Sequence, residues 1–349
     1  MYTVRDLGLR GNGVHARQIV FDEKFAGREL AVPLLELKGA RPGPTMFFVA
    51  MQHGHEPTGA AAVHTLLSGL CADDLSGRIL AVPAANPLGF VSGAMCYPSA
   101  EPAWLMHVHF PEGGPEYPVD HGHNMNRLWP GKPDGNLAAR TIHAIFIEAA
   151  SRLVGTDFAV DVHCHYHWNA CLVILQATHA PSVAFGRALG ARVSHRSTGN
   201  PGMCSGCLSA RGVPTVTIEL TPHFDVSLPG AQEGARMLRN GLRYAGMLGG
   251  APETPAESYE FGYEAEKPVL AGASGMVLFR PHCLDVVRQG ELLAEIIDPR
   301  SFEVAQRILA PFDCIVSRAA WNSCVEKGWA VCKVVDLREA HYSDALDRP

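Results

Sequence analysis

Residues 46–51, Met46-Phe47-Phe48-Val49-Ala50-Met51, are apolar without a break and are preceded by Arg41-Pro42-Gly43-Pro44. A short continuous apolar run bounded by turn formers predicts a buried strand. Residues 60–67 carry a helical pattern, 78–83 and 158–163 read as strands, and 137–150 reads as a helix. Further along, 172–175 and 215–219 are strand-like, whereas 182–189 and 232–247 are helical. Upstream, 14–20 and 29–37 predict a hairpin or edge pair. Strands alternating with helices place the chain in the α/β class, with a largely parallel or mixed sheet flanked by helices.

The pattern changes at Gly249-Gly250-Ala251-Pro252-Glu253-Thr254-Pro255-Ala256, which reads as a linker. Beyond it helical periods nearly vanish, and short strand-like runs appear at 269–270, 275–279, 292–297, 314–317 and 330–335. Turns with Gly, Asp and Pro separate them, as in a small all-β barrel or sandwich. The division expected is therefore an α/β domain over 1–250 and a barrel-like β domain over 256–349.

With 349 residues and 47% hydrophobic content the chain can bury a sizeable core. A net charge of -6 and the lack of a long basic run argue against nucleic acid and anionic membrane surfaces as partners. No segment approaches the roughly 18–20 apolar residues of a membrane span. The N-terminus, Met1-Tyr2-Thr3-Val4-Arg5-Asp6, lacks the apolar core of a secretory signal, so a cytoplasmic location is expected. The ten cysteines are scattered and include a single C-x-x-C, Cys204-Ser205-Gly206-Cys207, so they read as reduced core residues. The seventeen histidines instead concentrate between His53 and His179.

Directly after the 46–51 run stands Gln52-His53-Gly54-His55-Glu56. An imidazole and a carboxylate spaced H-x-x-E thus sit at the C-terminal edge of a strand, where open α/β sheets bind ligands. Both groups suit zinc, which in catalytic sites takes three protein ligands and leaves a position for water. Asp161-Val162-His163-Cys164-His165 offers the third ligand, because alternate residues of a strand share a face. His163 is the favoured candidate, with Asp161 as the carboxylate that orients it. His165 and His167 compete for the role and are otherwise assigned to the pocket wall or to substrate contacts. His55 is open between a pocket-lining and a solvated loop position. Glu219, ending the 215–219 strand, is the candidate general base. Arg127, within His123-Asn124-Met125-Asn126-Arg127-Leu128-Trp129-Pro130-Gly131, is suited to grip a substrate carboxylate. The turn Asn86-Pro87-Leu88-Gly89-Phe90 could line the same site through its backbone.

His53-Gly54-His55-Glu56, Asn86-Pro87-x-Gly89, Asn126-Arg127-Leu128-Trp129-Pro130-Gly131, Asp161-Val162-His163 and Ile218-Glu219-Leu220 occur in this order along residues 40 to 245. Together they resemble the succinylglutamate desuccinylase/aspartoacylase family of the zinc carboxypeptidase-like group. The resemblance implies one zinc per subunit held by His53, Glu56 and His163, with Glu219 as the catalytic carboxylate. It further implies that Asn126 and Arg127, with His165 beside them, hold the substrate. The implied fold is a mixed α/β sheet followed by a C-terminal β domain. Segments 273–277, 287–293 and 296–299 resemble the biotinyl/lipoyl-like barrel of one branch, without its modifiable lysine. The module then looks structural, either roofing the site or pairing subunits of a homo-oligomer.

Three departures stand out. His55 and Met125 replace residues usual at those positions, and no arginine occurs between Arg78 and Arg127, where the family usually carries one. A histidine of the intervening segment, which holds Trp104, His107 and His109, or of 165–167 would then supply the contact to the scissile carbonyl. The activity implied is zinc-dependent hydrolysis of the amide of an N-acyl amino acid or similar small carboxylate-bearing amide. Carboxypeptidase-type cleavage of a short peptide, or a non-catalytic zinc or small-molecule binder, are the alternatives.

Overall fold

A computed structural model describes residues 1–25, 27–93, 123–165, 171–319 and 324–344. Within them the chain divides into two units, one reaching Pro255 and one starting at Ala256. Trp104, His107, His109 and His167 lie outside the described residues.

In the first unit the described strands are β1 (Tyr2–Leu9), β2 (Val14–Phe25), β3 (Arg28–Lys38), β4 (Arg41–Ala50), β5 (Ser76–Val82), β6 (Phe158–Cys164), β7 (Leu172–Gln176), β8 (Val193–Ser197) and β9 (Thr215–Leu220). They lie side by side in the order β1-β2-β3-β5-β4-β6-β9-β7-β8. The centre is parallel, β5, β4, β6 and β9 running together, and β7 pairs antiparallel with β9. The sheet is thus mixed.

The apolar run of β4 is buried from Thr45 to Ala50 because both faces of the strand are covered. Met46, Phe48 and Ala50 join Val160, Val162, Leu66, Phe185 and Leu238 in one core. Phe47 and Val49 join Leu80, Val82, Ala159, Ile142 and Leu208 in the other. A strand covered on both sides has no polar face, which is why the run shows no alternation. The first core lies under α1 (Pro57–Ser68), α4 (Ala180–Ala188) and α6 (Leu228–Tyr244). The second lies under α3 (Leu137–Ile145) and α5 (Cys204–Ser209); a short α2 (Pro87–Ser92) follows β5. Each buried Val, Leu, Ile, Met or Phe side chain contributes ~1.5–3 kcal/mol on burial.

Strand β6 departs from this rule in an informative way. Val160, Val162 and Cys164 fill the first core, whereas Asp161 and His163 point to the opposite face. In β9 Val216, Ile218 and Leu220 are likewise core, so Thr217 and Glu219 share the face of Asp161 and His163.

Some elements differ from the pattern. β4 begins at Arg41, so Arg41-Pro42-Gly43-Pro44 lies inside the strand, where its register with β5 is irregular. Prolines are tolerated there because such a break does not need their missing N–H. The 137–150 helix ends as an α-helix at Ile145 and continues as one π turn, Phe146–Ala150. Residues 86–90, read as a turn, instead supply the N-cap and first residues of α2, Pro87–Ser92.

The second unit is antiparallel. It contains β10 (Glu257–Gly262), β11 (Glu266–Leu270), β12 (Gly275–Phe279), β13 (Val286–Val287), β14 (Leu292–Ile297), β15 (Val304–Leu309), β16 (Cys314–Ala319), β17 (Cys324–Val325), β18 (Ala330–Asp336) and β19 (His341–Asp344). Two four-stranded sheets form, β11-β18-β16-β13 and β15-β14-β12-β17, and β10 pairs with β19. Among the described residues no helix is long and apolar enough to cross a membrane.

Candidate metal site

The turn that leaves β4 is held by its neighbours. Met51 adopts a left-handed backbone with φ of 52°, and the N–H of Asn86 donates to its carbonyl at 2.9 Å. The Asn86 side chain donates to the Gln52 carbonyl at 3.1 Å and accepts the Gly89 N–H at 2.8 Å, capping α2. Asn86 thus ties the α2 cap to the turn. A Cβ on Gly54 would lie 2.0 Å from the Gly89 carbonyl carbon, so only glycine lets the two backbones meet. The Glu56 N–H then donates to the His53 carbonyl at 3.2 Å. Glu56 sits at the N-cap of α1, yet its side chain makes no capping bond. Its carboxylate turns the other way, to the histidines.

Glu56 Oε1 lies 2.8 Å from His53 Nδ1, and Oε2 lies 2.8 Å from His163 Nδ1. One donor atom from each of His53, Glu56 and His163 falls within 4.8 Å of the others, and all three residues are buried. The opposite ring nitrogens face fixed protein partners: His53 Nε2 meets Asn124 Oδ1 at 3.1 Å and His163 Nε2 meets Asp161 Oδ1 at 3.1 Å. A metal-bound imidazole needs this, one nitrogen turned inward and the other donating its hydrogen to an oxygen behind it. The donor set therefore fits a divalent cation. Without one, the charges hold each other. Burial works to raise the Glu56 pKa, but the charges and hydrogen bonds of His53 and His163 prevail and hold it well below the usual carboxylate range. Burial works to lower the His163 pKa, but Asp161 and Glu56 outweigh it and keep it well above the usual imidazole range.

Behind this set lies a buried polar chain. Trp129 Nε1, which can only donate, gives its hydrogen to Gln52 Oε1 at 2.6 Å. That fixes the Gln52 amide so that its Nε2 donates to Asp161 Oδ1 at 2.6 Å. Asp161 therefore accepts from Gln52 while facing His163. Asn124 Oδ1 also accepts the Asn126 N–H at 3.0 Å, joining the 124–129 loop to His53.

Glu219 is opposite His163 in the parallel register of β9 and β6, which puts its side chain beside the donor set on the same face. Asn126 is buried with Nδ2 3.0 Å from His163 Nε2, and its Oδ1 accepts the Cys204 N–H at 3.2 Å. Its Oδ1 is thus engaged by the protein. Arg127 is half-buried, and its guanidinium donates to the Asn126 carbonyl at 2.7 Å. His165 lies just past β6, its N–H donating to the Leu220 carbonyl at 2.7 Å and its ring 6.4 Å from that of His223. His55 is buried, which removes the solvated alternative.

Sequence reasoning missed Gln52, Asn124, Trp129 and His223 as members of this neighbourhood. Gln52 carried a signal, a polar side chain between a buried strand and a ligand motif. His223 carried none, since only the β9 turn brings it back to Glu56.

A family model of the succinylglutamate desuccinylase/aspartoacylase catalytic domain matches residues 42–245. Over 121 residues the chain is 27% identical to the N-alpha-acetyl-L-2,4-diaminobutyric acid deacetylase of Halomonas elongata. That match spans 35% of this chain and 29% of the deacetylase. The product-bound ectoine utilization protein EutE (DoeB) of Ruegeria pomeroyi superimposes with a TM-score of 0.71 at 23% identity, covering 95% of this chain and 98% of that one. A succinylglutamate desuccinylase/aspartoacylase of Rhodobacter sphaeroides gives 0.68 at 23% identity, covering 93% and 95%. At these identities the structural likeness speaks for the fold.

Proposed function

The chain belongs to the succinylglutamate desuccinylase/aspartoacylase family, and from that premise we propose that it is a zinc-dependent deacylase of N-acyl amino acids. The observation that carries the reading is the convergence of His53, Glu56 and His163 donor atoms within 4.8 Å, buried at adjacent strand ends. Two imidazoles and a carboxylate are a zinc donor set that leaves room for water and substrate. His53, Glu56 and His163 would hold the zinc, which would supply Lewis-acid polarisation of the scissile carbonyl and a water made nucleophilic near neutral pH.

The protein's own groups do the rest. Asp161, oriented by Gln52, accepts the Nε2 hydrogen of His163 and holds the ring in the tautomer that presents Nδ1 inward. Glu219 takes a proton from the attacking water and delivers it to the amine nitrogen as the C–N bond breaks. The products are the free carboxylate of the acyl group and the amino acid. Arg127 receives the substrate carboxylate.

Metal analysis of the purified protein, with hydrolysis assayed over a panel of N-acyl amino acids and dipeptides, tests the proposal. Similarity to the Halomonas elongata deacetylase supports placing N-acetyl-L-2,4-diaminobutyric acid in the panel. Glu219→Gln should keep its zinc and lose ~10²–10⁴-fold in turnover. Full zinc content in both His53→Ala and His163→Ala, or undiminished turnover in Glu219→Gln, refutes it.

A further inference from the structure

The Glu56 carboxylate faces two groups of imidazoles, and the donor set above uses one of them. On the other side stand His55 and His223, whose ring centroids are 4.2 Å apart with planes at 71°. Donor atoms of His55, Glu56 and His223 also fall within 4.8 Å of one another. His223 Nε2 is 3.6 Å from Glu56 Oε1, the oxygen that also meets His53 Nδ1 at 2.8 Å. His55 is 2% exposed and Glu56 3%, and the His223 side chain is 7% exposed, so all three donor groups are buried.

We propose that His55, Glu56 and His223 form a second divalent-cation site that shares the Glu56 carboxylate with the first. Two imidazoles and a carboxylate again make a donor set suited to zinc, and the ionised carboxylate has lone pairs enough to serve both sides. Bridging carboxylates are compatible with the short separations found in two-metal sites. The anchoring of the pair is built in. The Phe224 N–H donates to the His55 carbonyl at 2.7 Å, which pins the turn after β9 to the H-G-H-E turn. His223 Nε2 lies 2.7 Å from the Cys164 carbonyl oxygen, so coordination through Nε2 displaces the hydrogen shared there and brings that oxygen near the ion. The second ion is expected to bind more weakly than the first, since it shares a carboxylate that the first already engages. The proposal rests on the first-site reading only through Glu56.

Full-length protein is stripped with a chelator and titrated with zinc alone, by calorimetry and by metal content at buffered free zinc. Wild type is expected to take two ions per chain, the second more weakly than the first. The double variant His55→Ala/His223→Ala should take only the tight ion, and His223→Gln should weaken the second by ~10-fold or more. His53→Ala should lose the tight ion, an outcome that reports on the first site. Histidine ring signals in NMR give a readout free of variants: the second equivalent should shift His55 and His223. Saturation of wild type at one ion per chain overturns the proposal, as do two ions in the double variant or a second equivalent that leaves both rings unmoved.

Discussion

Gln52 offers a sharp test of how the donor set is held. Its side chain is fully buried, accepting from Trp129 Nε1 at 2.6 Å and donating to Asp161 Oδ1 at 2.6 Å. Gln52→Leu keeps the approximate volume and deletes both bonds. The Trp129 N–H, on a residue 4% exposed, is left without its acceptor, which costs ~1–3 kcal/mol. Asp161 loses a hydrogen bond to a charged group, worth ~1.5–3 kcal/mol. Allowing partial relaxation, the loss should be ~3–5 kcal/mol, a large share of the ~5–15 kcal/mol stability of a typical domain. Gln52→Glu has the same shape and keeps the Trp129 bond, but aims a second carboxylate at Asp161. Repulsion and burial raise its folded pKa above the unfolded ~4.3, so the native state binds the extra proton. Stability of Gln52→Glu relative to wild type must then fall as pH rises from ~4.3 towards the folded pKa, by up to ~1.4 kcal/mol per pH unit crossed. The Gln52→Leu deficit should stay nearly flat with pH. Urea unfolding of metal-free protein at pH 5 and pH 8 separates the two, since bound metal adds linked stability. A Gln52→Leu cost under ~1 kcal/mol, or a Gln52→Glu deficit equal at both pH values, refutes the network.

Other outcomes follow from the same geometry. In metal-free protein, His163 contributes stability that is present below 6.5 and lost as pH rises through its raised pKa. Glu56 contributes stability present above 4.5 and lost as pH falls through its depressed pKa. Melting temperature should therefore peak between those values in chelator-treated samples, and a continuous rise from pH 6.5 to pH 9 would contradict the charge pairing. Gly54→Ala drives a methyl against the Gly89 carbonyl carbon at 2.0 Å. It should cost ~1–3 kcal/mol or more and, on the proposed reading, most of the zinc affinity, whereas unchanged zinc content would show that the turn can yield. Tyr2→Phe removes the hydroxyl that donates to Glu148 at 2.8 Å, tying β1 to the end of the α3 segment. A loss of ~1 kcal/mol is expected; no change in urea midpoint would leave β1 held by its ladder alone.

The class of fold and the residues of the candidate donor set are legible in the chain alone, because both are written in short-range patterns. The unbroken run 46–51 announces a strand covered on both faces, and alternation in 158–164 assigns Asp161 and His163 to one face before any partner is known. Elements lacking such a period left no trace. β1 lies at an edge with most positions exposed, β8 is Val-Ser-His-Arg-Ser, and α5 has only six residues. Folding in three dimensions settled who meets whom. The parallel register that sets Glu219 opposite His163 depends on strand pairing across more than fifty residues. The indole of Trp129, 77 residues from Gln52, is what fixes the amide that orients Asp161. His223 reaches Glu56 only through the turn after β9. Periodicity tells which face a side chain takes, since that depends on local backbone geometry. Which two faces meet depends on chain crossovers and core packing, and no local pattern carries that information.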